Sequence, residues 1–226
     1  MSELNEVCSN IIDCEHKTAP TEIKGIPSVR TTDIENGFID FENANKVSEE
    51  TYQLWTQRLE PKSYDLILAR EAPVGEVGII PEGYRACLGQ RTVLIRPNQE
   101  KIHPYYLLYL LLYRPIQHEL KIRASGSTVE HLNMSDIRKL QLPELPPLKL
   151  QKEIGNTLSN LDQKIENLRK QNQTLEQIAQ TLFKHWFIDF EFPNENGEPY
   201  QSSGGAMKPS ELGEIPEGWR VGKLGD

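Results

Sequence analysis

The sequence predicts an α+β fold: a globular domain with a curved, mainly antiparallel sheet, followed by one long coiled-coil helix. Three observations carry this. Short β-branched runs cluster between turn signals in the first 100 residues instead of alternating regularly with helices. One strongly apolar stretch, Tyr105-Tyr-Leu-Leu-Tyr-Leu-Leu-Leu-Tyr113, reads as a buried helix and is far short of the ~20 residues a membrane span needs. From residue 154 onward, apolar residues recur with spacings of 4 and 3 for more than four heptads.

The elements follow in order. Ile26-Pro-Ser-Val-Arg30 reads as a short strand with Pro27 near its start or edge. Asp65-Leu-Ile-Leu-Ala-Arg70 is a stronger strand. A turn at Glu71-Ala-Pro-Val-Gly75 leads to Glu76-Val-Gly-Ile-Ile80, and Pro81-Glu-Gly-Tyr84 is a further turn. Arg91-Thr-Val-Leu-Ile-Arg96 alternates and is β-branched, the pattern of a strand. A helix starts near Pro104, breaks or restarts at Pro115, and runs to about Arg123. Met134 to Leu140 forms a short helix with Asn133 as its cap.

The heptad positions are Ile154, Leu158, Leu161, Ile165, Leu168, Asn172, Leu175, Ala179, Leu182 and Trp186. A helix of ~40 residues extends ~60 Å at 1.5 Å per residue, more than a domain of this size can cover along its own surface. It needs a second long helix, from another copy or another protein. Asn172 in the seam costs stability but fixes register and strand number. The domain boundaries expected are residues 1–147 for the globule, 148–190 for the helix and 191–226 for a linker and the start of a further domain, loop-like and rich in Gly, Pro, Ser, Asn and Glu over 191–218.

Charge and chemistry narrow the function. The net charge is −8, which argues against a generic nucleic-acid coat. Residues 1–84 hold 7 Lys/Arg against 16 Asp/Glu, whereas residues 85–139 hold 9 against 4, so one face can be basic. A partner is then expected to supply much of any phosphate neutralisation. The three cysteines, Cys8, Cys14 and Cys87, fit neither a disulfide framework nor a zinc pattern and read as free thiols in a reducing cytoplasm. No phosphate loop, dinucleotide turn, zinc helix or nucleophile elbow occurs in the sequence. The five histidines are scattered singly. The chain is therefore expected to be non-catalytic, with no cofactor, no metal and no membrane contact.

The residues suited to reading DNA lie where strands end or loops turn. They are Lys17; Arg30, Thr31 and Thr32; Arg70; Gln90, Arg91 and Thr92; Ser125, Gly126, Ser127 and Thr128; and His131. Arg and Gln make bidentate contacts with guanine and adenine edges, and hydroxyls suit phosphates. Ordinary turn chemistry is the competing explanation for each. A coiled-coil interaction protein without DNA readout, and a metal-dependent nuclease, are the competing functions.

Several segments resemble a known family. Gly25-Ile-Pro-Ser-Val-Arg-Thr-Thr-Asp-Ile34, Asp65-Leu-Ile-Leu-Ala-Arg70, Leu88-Gly-Gln-Arg91, Gly126-Ser-Thr-Val-Glu-His-Leu-Asn133 and Leu142-Pro-Glu-Leu-Pro-Pro147 are similar to a target-recognition domain of Type I restriction-modification specificity subunits. The helix ending Ala179-Gln-Thr-Leu-Phe-Lys-His-Trp-Phe-Ile-Asp-Phe190 resembles that family's central conserved region. The tail from Glu211 to Gly225 resembles the opening of a second recognition domain.

The resemblance implies two recognition domains separated by antiparallel helices in a full-length subunit, each domain reading half of a split double-stranded DNA target. It implies methyltransferase partners that use S-adenosylmethionine and restriction partners that use ATP and Mg. This chain carries one recognition domain, as a natural half-subunit or a truncated one. Pairing of two copies through antiparallel helices restores the two-domain layout and predicts a symmetric, interrupted target. The tail is expected either to be a remnant or to add its strand to a recognition domain, as in a circular permutation.

Overall fold

The computed structural model describes residues 2–124 and 130–223. The chain divides into two compact units, Met1–Leu161 and Asp162–Asp226, so the boundary falls inside the long helix rather than before it.

The first unit opens with strand β1 (Ser2–Glu3), helix α1 (Leu4–Val7), β2 (Cys8–Asp13) and β3 (Ile26–Val29). A 3-10 turn, Thr31–Asp33, leads to the β4 (Ile34–Glu35) and β5 (Phe38–Ile39) hairpin, then β6 (Asn45–Val47) and α2 (Glu49–Trp55). Strands β7 (Leu66–Ala69), β8 (Val77–Ile79), β9 (Cys87–Leu88) and β10 (Thr92–Pro97) follow. Helices α3 (Pro104–Leu112), α4 (Arg114–Arg123) and α5 (Met134–Arg138) precede β11 (Gln141–Leu142) and the long helix α6 (Leu148–Phe183).

The main sheet has the order β2-β10-β7-β8, with every pairing antiparallel. Strand β10 is central: Leu94 lies opposite Ile12 on one side and Ile67 on the other. Alternation sorts its side chains onto two faces. Leu66, Leu68, Val93 and Ile95 pack in one cluster with Leu107, Leu108 and Leu111 of α3 and Ile116 and Leu120 of α4. Ile67 and Leu94 pack on the opposite face with Val29, Ile34, Ile39, Ile80 and Leu88. Both faces are covered, which is why Leu66-Ile-Leu-Ala69 is a continuous apolar run instead of an alternating one. A smaller sheet, β6-β3-β9, contains the one departure from antiparallel pairing among the named strands: β3 and β9 run parallel.

The α3–α4 break falls where expected. Tyr113 is extended, and Pro115 lies in the first turn of α4. Gln117 closes the gap: its Nε2 donates to the Leu111 carbonyl (2.7 Å) and to that of Gly75 (2.8 Å), tying the 71–75 turn to the helices.

The start of α6 is part of the first unit, so the expected seam is half-covered at its first two positions. Its buried face is Gln151, Gly155 and Ser159. Gln151 accepts from the His103 backbone N–H (3.0 Å) and donates to the Pro146 carbonyl (2.8 Å). Any side chain at Gly155 meets His103 Nδ1 and the Tyr106 nitrogen at 2.9 Å, so only glycine lets α6 approach the head of α3. Ile154 and Leu158 are half-buried here. The exposed stripe therefore begins at Leu161 and continues through Ile165, Leu168, Asn172, Leu175, Ala179 and Leu182 to Trp186.

In the second unit, α6 ends in a π-helical turn, Lys184–Ile188. The tail is more ordered than its loop-like composition suggests. Strands β12 (Met207–Ser210) and β13 (Gly213–Pro216) form a hairpin with each other, rather than one of them joining a larger sheet. Trp219 then packs among Phe187, Phe190 and Phe192, with ring centroids 5.5–5.9 Å apart. Aromatic pairs of this kind add about 0.5–1.5 kcal/mol each beyond area burial.

Candidate nucleic-acid interface

The strand order brings Arg30, Arg70, Gln90 and Arg91 to one edge of the first unit. Strands β2 and β7 both pair antiparallel with β10, so both end where β10 begins. Strand β9 runs parallel to β3 and feeds β10 through Gly89-Gln90-Arg91, so β3 ends at this edge too. A cleft of about 280 Å³ opens there, lined by His16, Arg70, Glu71, Gln90 and Arg91.

Arg70 leaves β7 and is mostly buried. Its Nη1 donates to Asp13 Oδ2 at 2.5 Å, and the same carboxylate oxygen lies 3.1 Å from His16 Nε2. The Arg70 Nε–H is buried without an acceptor, which costs about 1–3 kcal/mol. The backbone here is tightly determined. The Arg70 N–H donates to the Arg91 carbonyl, the Leu132 N–H donates to the Arg70 carbonyl, and Glu71 bridges to His131.

Arg91 is half-exposed and pairs with Glu71 (Nε to Oε2, 3.1 Å). Its φ of 67° lies in the left-handed region, a strained choice for a residue with a side chain. The strain comes with the tight turn before it. The Gly89 N–H donates to the Val29 carbonyl at 2.7 Å, and a Cβ there would stand 2.6 Å from that same oxygen. Glycine thus lets β9 close on β3, bringing Arg30 and Gln90 to neighbouring positions on the edge. Arg30 is oriented by Asp33 (Nη2 to Oδ1, 3.2 Å), and Thr32 donates to the same carboxylate oxygen at 3.2 Å.

The predicted residues therefore divide. Arg30, Thr32, Gln90 and Arg91 are exposed at the edge; Arg70 is mostly buried and His131 half-buried beside them; Lys17 is exposed just past His16. Thr92 and Thr31 are corrections. Thr92 is fully buried, its hydroxyl donating to the Gly89 carbonyl at 2.8 Å. Thr31 is buried with its hydroxyl on the Ala72 carbonyl at 3.2 Å. Both hydroxyls hold the loops and have no proton left for an external partner. Ser125, Gly126, Ser127 and Thr128 lie outside the described residues. Sequence reasoning missed His16, Glu71 and Asp13. His16 lies three residues beyond the end of β2, a strand whose polar sequence hid it.

Every arginine at the edge is held by a carboxylate, so the guanidinium planes are oriented before any ligand arrives. Burial pushes the Cys8 thiol up to about 12 and raises Cys14 and Cys87, which favours the protonated thiol over the thiolate. Among the described residues, no group of three or more His, Cys, Asp or Glu is placed to hold a metal, and no helix is long and apolar enough to cross a membrane.

The first unit thus presents a sheet edge of paired cations and the long helix carries an exposed apolar stripe, and comparison with known proteins gives these features a family. The family model described as Type I restriction modification DNA specificity domain matches residues 3–177, and the chain belongs to that family. It is 34% identical over 180 residues to the Type I restriction enzyme MjaIX specificity subunit of Methanocaldococcus jannaschii, covering 80% of this chain and 39% of that protein. It is 34% identical over 122 residues to the HindI specificity subunit of Haemophilus influenzae, covering 53% of this chain and 26% of that one. The chain thus spans about two fifths or less of these relatives.

Solved structures agree on the fold. The HsdS subunit of Thermoanaerobacter tengcongensis matches with a TM-score of 0.51 at 23% identity, over 75% of this chain and 38% of that one. The S subunit of the Type-I restriction-modification system of M. genitalium matches with a TM-score of 0.57 at 16% identity, over 83% and 46%.

Proposed function

We propose that this chain is a DNA sequence-specificity subunit of a Type I restriction-modification complex, working in the cytoplasm. It reads one half of a bipartite target with the edge formed by the ends of β2, β3, β7 and β9. The observation that carries this reading is the convergence of Arg70, Gln90 and Arg91 around one cleft, with Arg30 packed beside Gly89 next to it, in a chain of the specificity family. The subunit itself makes and breaks no covalent bond. S-adenosylmethionine is used by the methyltransferase subunits that it docks, and ATP and Mg by the restriction subunits. Two copies pair through antiparallel α6 helices, which brings two recognition domains together on one split target.

The test is a methylome. The chain is co-expressed with its methyltransferase subunit in a methylation-free host, and modified bases are sequenced. The expected outcome is a symmetric, interrupted motif methylated on adenine. An asymmetric motif would contradict the paired-copy arrangement while keeping the specificity role. No methylation from a complex shown to form would overturn the specificity role itself.

A further inference from the structure

We infer that the second copy docks on α6 in one antiparallel register, set by Arg169 facing the second copy's Glu176. The inference rests on the paired-copy reading above and adds what that reading leaves open, the register. In a pair of opposed helices each a position faces a partner d position, and the flanking e residues meet across one side of the seam. Here Ile165, Asn172 and Ala179 are a positions; Leu161, Leu168, Leu175 and Leu182 are d positions; Asp162, Arg169 and Glu176 are e positions.

Two antiparallel registers use most of the stripe, one heptad apart; shifting a further heptad towards the C-terminus leaves Leu161 and Ile165 without a partner and sets Glu176 against Glu176. In the first, Leu161 faces Trp186 of the second copy, Ile165 faces Leu182, Leu168 faces Ala179, and Asn172 faces Leu175. This register uses each exposed seam residue from Leu161 to Trp186 and stops where exposure stops. In the second, Asn172 faces Leu168, and the seam must extend to Leu158 and Ile154, which the first unit already half-buries.

Charge makes the same choice. The first register places Arg169 beside the second copy's Glu176, twice by symmetry. The second places Arg169 beside Arg169 and Asp162 beside Glu176, all like charges. A parallel pair fares no better, because it sets Lys164 against the second copy's Arg169. Arg169 is free to make the exchange: its contact within the chain is a 4.0 Å approach to Glu166, and its side chain is 72% exposed.

Charge reversal tests this, because Arg169 and Glu176 stand two turns apart on one helix and do not touch in a single copy. The dimer dissociation constant of the full chain is measured by sedimentation at low salt. R169E and E176R are each expected to weaken dimerisation about tenfold, and the double variant R169E/E176R to restore it within about twofold. An equal mixture of the two single variants is expected to form a heterodimer about as tight as the wild-type dimer. A double variant as weak as the singles, or singles that bind like wild type, would overturn the register. Wild-type chain that stays monomeric at micromolar concentration would instead overturn the paired-copy reading beneath it. The positions are exposed, so circular dichroism should show unchanged helix content in every variant.

Discussion

Replacing Asp65 with alanine is expected to lower the unfolding free energy by about 3–5 kcal/mol, because it strands a partly buried guanidinium. Asp65 sits at the head of β7 with its side chain 3% exposed. Its two oxygens accept from Arg96 Nε (2.9 Å) and Nη2 (2.7 Å), and Oδ2 also accepts from the Lys62 N–H (2.8 Å). Arg96 in turn holds the Glu60 carbonyl (2.7 Å). The pair therefore joins β7 to β10 at the end opposite the proposed DNA edge. Urea denaturation followed by circular dichroism measures the loss. A change below about 1 kcal/mol would mean that solvent reaches Arg96 freely, contrary to the burial described.

The double substitution Leu168→Glu and Leu175→Glu is expected to abolish dimerisation. Both leucines are exposed in the single chain, so the folded copy loses little. Across the proposed seam, four leucines per dimer lose about 1.5–3 kcal/mol of burial each, which corresponds to well over a 100-fold weaker association. Sedimentation should show monomer, with an unchanged thermal midpoint for the first unit. Methylation in cells should disappear with the dimer. Methylation that persists in a variant shown to be monomeric would mean that one recognition domain suffices.

Much of the fold is legible in the sequence because the relevant forces are local. Leu66-Ile-Leu-Ala69 and Thr92-Val-Leu-Ile95 announce central strands by composition, and Pro104 and Pro115 mark helix starts through their fixed backbone angle. Strand β2 is not legible. It is an edge strand, Cys8-Ser-Asn-Ile-Ile-Asp13, in which Ile11 alone is fully buried, so its sequence resembles a loop. The β12–β13 hairpin is hidden for a similar reason, with a proline in each strand.

The site divides along the same line. Arg30, Arg70, Gln90 and Arg91 follow from their places at strand ends beside Gly89. Whether a threonine hydroxyl faces outward depends on distant backbone: Thr31 is satisfied by Ala72, 41 residues away. Ile154 and Leu158 are half-buried in the first unit because the docking face of α6 is made of Gln151, Gly155 and Ser159. These residues look solvent-facing until Gln151 finds its partners at His103 and Pro146.

Sequencing the methylated motif of an Arg91→Ala variant, beside that of the wild type, tests most directly whether the strand-end edge reads sequence. Arg91 sits on the exposed lip of the cleft, and a bidentate base contact is worth about 1–3 kcal/mol of discrimination. The expected result is a motif that tolerates other bases at one position of each half-site, with the remaining positions and the spacing unchanged. An unchanged motif, or a uniform fall in methylation across all sites, would contradict base reading at this edge and leave Arg91 with at most a phosphate contact.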